Sequence, residues 1–226
     1  MSQFFNELKR QTESARAQML QAKIFAACQK GQIDRQTYRA FLTQAYHHVK
    51  HTVPLLMACG GRLPERYEGL RVALGHYIEE ESSHQEWILN DINALGFDAQ
   101  LVRAGLGEGE VDWPIELMVS YLYHQIDRAN PLALFGMVWV LEGTSVSVGG
   151  SMAKMVQQTL DLPNRAMTYL LSHSELDTQH IQFFEQLMNQ IESPEDKQAI
   201  INSARHVFRL YSAMLEHLPL PVMQVA

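Results

Sequence analysis

The stretch His173-Ser174-Glu175-Leu176-Asp177-Thr178-Gln179-His180 decides how the chain is read. In an α-helix turning about 100° per residue, Asp177 falls about 40° from His173, and His180 about 20° to the other side. The three side chains then project from one face over two turns. Leu170, Leu171, Leu176, Ile181, Phe183 and Phe184 give the same helix a substantial apolar surface, so it belongs in a helical pack. Imidazoles and a carboxylate sharing a face are what an iron or zinc site requires. The alternative is a polar stripe turned to solvent.

Outward from this segment almost every stretch has helical period, and no sustained alternation or Asn-Gly or Asp-Gly hairpin signal marks a strand. The pattern predicts an all-α domain of about seven helices. A first runs from Gln3 to Lys30. A second, capped by Asp34, reaches Cys59 with a kink at His51-Thr52-Val53-Pro54. A third spans Glu65 to Leu95, and Phe97 to Asp112 reads as a loop. A fourth spans Trp113 to Ala129. A fifth opens at Pro131 and bends where Gly143, Gly149 and Gly150 interrupt it. A sixth runs from Pro163 to Ile191. Ser193-Pro194-Glu195-Asp196, a cap followed by proline and acids, starts the last, which ends at His217. One domain over 1–217 is expected, with a loose tail over 218–226.

Composition narrows the function classes. Hydrophobic residues make up 46% of the 226 residues, enough for a real core. The net charge of −7, with no basic run, argues against nucleic acid and acidic membrane surfaces as partners. Cys28 and Cys59 form neither a disulfide framework nor a CxxC zinc site, and read as buried thiols of a reducing compartment. The start of the chain lacks signal-peptide layout, and the most apolar run, Pro131 to Leu141, is short for a membrane span. A cytoplasmic protein is expected.

Two further features carry chemistry. In Glu79-Glu80-Glu81-Ser82-Ser83-His84, either Glu80 or Glu81 shares a helix face with His84. A Glu-x-x-His on a long helix recurs in helical di-iron proteins, whereas consecutive glutamates are also common on solvated faces. Glu142 ends the run Leu132-Ala-Leu-Phe-Gly-Met-Val-Trp-Val-Leu141, with no Lys or Arg after it until Lys154. A carboxylate there calls for a cation, from a metal, a distant arginine or a helix end open to water. Carboxylates and histidines from three helices, without thiolate, favour iron or manganese. His47, His48 and His51 lie on the second helix, His47 and His51 on one face, and could orient a carboxylate or touch substrate. They, His76, Tyr121, Tyr123 and His124 read more simply as core or surface.

These pieces resemble the heme-oxygenase-like di-iron oxidases and oxygenases, a fold shared with TenA thiaminases, the PQQ-synthesis oxidase and a chlamydial death-domain-associated protein. The matching parts are Ile78-Glu-Glu-Glu81-Ser-Ser-His84 running into Leu89-Asn-Asp-Ile-Asn-Ala-Leu-Gly96, then Leu141-Glu142-Gly143, then His173-x3-Asp177-x2-His180, over about residues 5–217. The resemblance implies two Fe(II) ions, with Mn as the other candidate. Glu81, His84 and His173 would hold one iron. Glu142, Asp177 and His180 would hold the other, with a carboxylate bridging. It implies O2 and a small organic substrate as partners, and a homodimer. A Glu-x-x-His in the third helix looks like the branch that decarboxylates fatty acids to terminal alkenes. Branches with the histidine seven residues after the glutamate have no match, because that position is Ile88. The resemblance also offers a metal-free, TenA-like binding or hydrolytic protein. Thiaminase chemistry needs a nucleophilic cysteine near mid-chain, and haem needs an axial histidine in the first helix. The first histidine here is His47.

Overall fold

A computed structural model of the chain describes residues 3–222, with the side chains of 173–180 outside the description. The described residues contain no strand. They form α1 (Phe4–Met19), α2 (Lys23–Gln29), α3 (Arg35–Val49), α4 (Thr52–Arg62), α5 (Glu68–Glu81), α6 (His84–Ala94), α7 (Ala99–Ala104), α8 (Trp113–Arg128), α9 (Leu134–Thr144), α10 (Gly150–Leu160), α11 (Thr168–Asn189) and α12 (Pro194–His217).

The count exceeds seven because several expected rods are interrupted. The first parts at Leu20–Ala22. The second parts at Lys50 and His51, one turn before Pro54, whose ring excludes the carbonyl one turn back. The third breaks at Ser82 and Ser83, where Ser83 takes the left-handed conformation at φ 76°. The fifth stays continuous but widens into a π turn over Ser145–Gly149. The expected loop before Trp113 contains α7, capped by Asp98, which accepts from Gln100 N at 2.8 Å. The caps read from sequence are present: Asp34 accepts from Thr37 N at 2.8 Å, and Ser193 from Asp196 N at 3.3 Å.

α9 is the axis of the domain, and every residue from Leu134 to Val140 is buried. Full burial of each large apolar side chain contributes about 1.5–3 kcal/mol, which is why a helix without a polar face lies at the centre. α12 runs beside it in the same direction: Asn130 Nδ2 donates to Asp196 Oδ1 at 2.7 Å, and Gly136 lies against Ile200, Ser203 and Ala204. α1 packs against α12, where Arg205 donates to Gln11, and also touches α9, where the Trp139 indole donates to Thr12. The run Pro131–Leu160 is long and apolar enough to cross a membrane, but its most apolar window is half buried within the domain. Beyond α12 the chain is anchored at first: Leu218 is buried, and Thr37 Oγ1 donates to Pro219 O at 2.7 Å.

Candidate metal centre

Three sets of elements meet around one cavity of about 200 Å³. α9, the π turn and α10 supply Met137, Val138, Leu141, Val148, Met152 and Val156, a nearly continuous apolar wall. The opposite wall comes from α2 to α4, with Phe41, His48 and Leu56 among its side chains. Two carboxylates enter this lining, Glu81 from the end of α5 and Glu142 from the end of α9.

Glu81 and His84 touch. His84 Nδ1 lies 3.0 Å from Glu81 Oε2, and the two side chains are 4% and 15% exposed. Trp87 lies over the His84 ring, with centroids 4.1 Å apart. When Nδ1–H donates to the carboxylate, Nε2 keeps the ring's lone pair, the form in which histidine binds a metal. The pair survives the break in the helix because Ser83 turns left-handed between the partners. A positive φ on a residue other than glycine is costly, and such strain clusters at functional sites.

Glu142 belongs to the same electrostatic environment. The Tyr77 phenol is held well above its usual range, first by burial and then by the negative charges of Glu142, Glu80 and Glu81. Tyr77 lies one turn before Glu81 and also lines the cavity. None of the described lining residues is Lys or Arg. Two carboxylates gathered in an apolar chamber fit a divalent metal, whose charge they would offset. Among the described residues, no group of three or more His, Cys, Asp or Glu is placed to hold one ion.

The remaining expected ligands, His173, Asp177 and His180, have side chains outside the described residues. Their backbone is helical, and its course is fixed at two points. At the start of α11, Thr168 N and Tyr169 N each donate to Asp91 of α6 at 2.9 Å. Further on, the Phe183 ring lies 5.9 Å from that of Tyr77 on α5. α11 therefore runs antiparallel to α5 and α6. His84 is midway in sequence between Tyr77 and Asp91, and the point midway between Thr168 and Phe183 falls within His173–His180. With about 1.5 Å of rise per residue in both elements, that backbone passes alongside Glu81 and His84.

Other candidates separate cleanly. His47 Nε2 lies 2.7 Å from Gly109 O, and His51 Nδ1 lies 3.2 Å from the Tyr123 hydroxyl. Neither lines the cavity, which His48 does instead, with its ring 5.9 Å from that of Tyr211. His76 is exposed. Tyr121 packs against His206 with the rings tilted, and His124 borders a separate outer groove. Sequence reading did not single out Tyr77 or Tyr211. The first could have been found, since it sits one turn before Glu81 on the same face. Cys28 also lines the cavity, but burial pushes its thiol up to about 11, and that of Cys59 to about 12. Neither is an activated thiolate.

A profile of iron-containing redox enzymes matches residues 39–212. The chain belongs to the iron-containing redox enzyme family. The fold is heme oxygenase-like. A domain of unknown function with that fold from Shewanella denitrificans is 21% identical, with 95% of this chain and 91% of that one covered and a TM-score of 0.83. A TenA homolog from Pseudomonas syringae is 12% identical, with 95% and 92% covered and a TM-score of 0.77. Heme oxygenase-1 from Synechocystis, solved in complex with heme, is 14% identical, with 96% and 92% covered and a TM-score of 0.74. No protein of curated function matches the sequence.

Proposed function

We propose that this member of the family is a non-haem iron oxidase that uses O2 to oxidise a small organic substrate, holding two irons through Glu81, His84, Glu142, His173, Asp177 and His180. The observation that carries this reading is the shared placement of Glu81 and Glu142 on one apolar cavity, with His84 3.0 Å from Glu81. Bound iron would supply the one-electron chemistry that O2 needs.

The chain's own residues do the rest. Glu81 and Glu142 would offset metal charge, with the His84 ring held beside Glu81, Nδ1 at 3.0 Å from its carboxylate. The wall from Met137 to Val156 keeps water out and receives an apolar substrate body. A carboxylic acid undergoing oxidative decarboxylation suits this chamber, because its carboxylate would be drawn to the metal and its apolar body to the wall. The likeness to a TenA homolog supports a metal-free binding or hydrolytic protein less well, since the cavity's Cys28 is a protonated thiol.

Anaerobic titration of the purified protein with Fe(II) tests the proposal. About two irons per chain are expected in the wild type, about one or fewer in Glu142→Ala, and O2 uptake only in the loaded wild type. Equal iron content in wild type and Glu142→Ala, or tight haem uptake with a Soret band in place of Fe(II) binding, would overturn it.

A further inference from the structure

Asp91 is fully buried on α6, yet nothing in the chemistry proposed above uses it. Its carboxylate accepts three hydrogen bonds, from Thr168 N at 2.9 Å, Thr168 Oγ1 at 2.6 Å and Tyr169 N at 2.9 Å. These amides are the first two of α11. The residue in the capping position is Met167, which makes no side-chain cap bond. α11 therefore takes its N-terminal cap from another helix. Burial raises the Asp91 pKa and works against the charge, while the three bonds favour it, so the carboxylate is kept there at a cost.

We infer that Asp91 is a positioning residue that sets the register of α11 against α6, and so aligns the His173–His180 backbone with His84. Asp91 and His84 lie two turns apart on one face of α6. A slip of α11 by one residue would move its side chains by about 1.5 Å along the helix and turn them by about 100°. Metal ligands must be held to within about 0.5 Å. A carboxylate that takes both leading amides of α11 removes that freedom at the end nearer to His173. The inference rests on the proposed iron site for its consequence, but not for the clamp itself.

Cobalt(II), a coloured stand-in for Fe(II), is the probe. Asp91→Asn retains the size of the side chain but loses one acceptor. It should bind Co(II) about 10-fold or more weakly than wild type and show altered visible bands. Thr168→Ala removes a single bond and should lose about 2- to 5-fold. Tyr67→Phe, which breaks the distant 2.5 Å bond to Asp196, controls for general destabilisation and should bind Co(II) as wild type does. Hydrogen exchange on the metal-free proteins gives a second readout, with protection in Asp91→Asn lost over residues 168–180 in excess of the rest. Wild-type Co(II) binding and spectrum in Asp91→Asn, or equal losses in Tyr67→Phe, would overturn the inference. If the wild type binds neither Co(II) nor Fe(II), the iron reading fails. The clamp is then judged by exchange alone, where a uniform rise across the chain would defeat it.

Discussion

His84 Nδ1 and Glu81 Oε2 lie 3.0 Å apart across a break in the helical rod that carries both. The break is held by Ser83 at φ 76° and ψ 4°. A left-handed residue with a Cβ costs roughly 1–2 kcal/mol, a penalty that glycine avoids. Ser83→Gly should therefore raise stability in urea by up to about 1 kcal/mol, with iron affinity unchanged. Ser83→Val should lower stability by about 1–2 kcal/mol. Equal stability of the two variants would show that the turn is not left-handed.

At Gly136, α9 and α12 approach each other closely. A Cβ there would lie 2.5 Å from Ala204 N and 2.6 Å from Ile200 O. Both obstacles are backbone, so the helices must separate to accept it. Gly136→Ala gains helix propensity of about 1 kcal/mol, but overpacking of this kind costs about 1–3 kcal/mol, and rigid backbone places it at the upper end. A net loss of about 1–2 kcal/mol is expected in thermal or urea unfolding. An unchanged midpoint would mean that the helices lie further apart than described.

How much of this was legible in the sequence follows from the range of each interaction. The Asp34 and Ser193 caps act over three residues, so composition revealed them. Spacing placed either Glu80 or Glu81 beside His84, and the structure selects Glu81; the special position of Glu142 followed from the apolar run before it. The break between α5 and α6 was hidden, because neither Gly nor Pro marks Ser82-Ser83. Among three neighbouring histidines, periodicity favoured His47 and His51 as a pair, but only tertiary packing selects His48 for the cavity. The Asp91 cap spans 77 residues in sequence to Thr168, beyond any local pattern. The ligand set remains a reading of the chain, supported by Glu81, His84 and Glu142 and by the course of α11.

The Trp139 indole is fixed by one hydroxyl. Its Nε1–H donates to Thr12 Oγ1 at 3.0 Å, and that hydroxyl donates in turn to Leu8 O at 2.8 Å. Phe5 and Phe184 pack against the ring, with centroids 5.3 and 6.4 Å away. Thr12→Val retains shape and removes the acceptor. An indole N–H left buried without a partner costs about 1–3 kcal/mol. Thr12→Val should lose that amount in urea unfolding, and Thr12→Ser should recover most of it. Because Trp139 shares α9 with Glu142, iron content measured alongside tests whether the ring also steadies the ligand helix. Full stability in Thr12→Val would show that the indole has another acceptor.

His47 gives the domain a defined response to acid. Burial lowers its pKa first, and the nearby Lys50 and His51 charges lower it further, against the raising effect of the bond to Gly109 O. Lys50 Nζ lies 3.1 Å from Nδ1, and Nε2 lies 2.7 Å from Gly109 O, which suits a neutral ring donating from Nε2. The folded protein thus takes up this proton less readily than the unfolded chain. The unfolded state binds more protons as pH falls below about 6.5. Stability contributed by His47 is then complete above that pH and is lost progressively toward the lower folded value. His51 shifts in the same direction through burial and Lys50. His47→Gln retains a donor for Gly109 O and has no proton to take up. Its stability measured by urea from pH 7.5 to 5 should fall less steeply than that of wild type, with the carboxylate contribution common to both. Parallel curves would show that His47 titrates equally in the folded and unfolded chains.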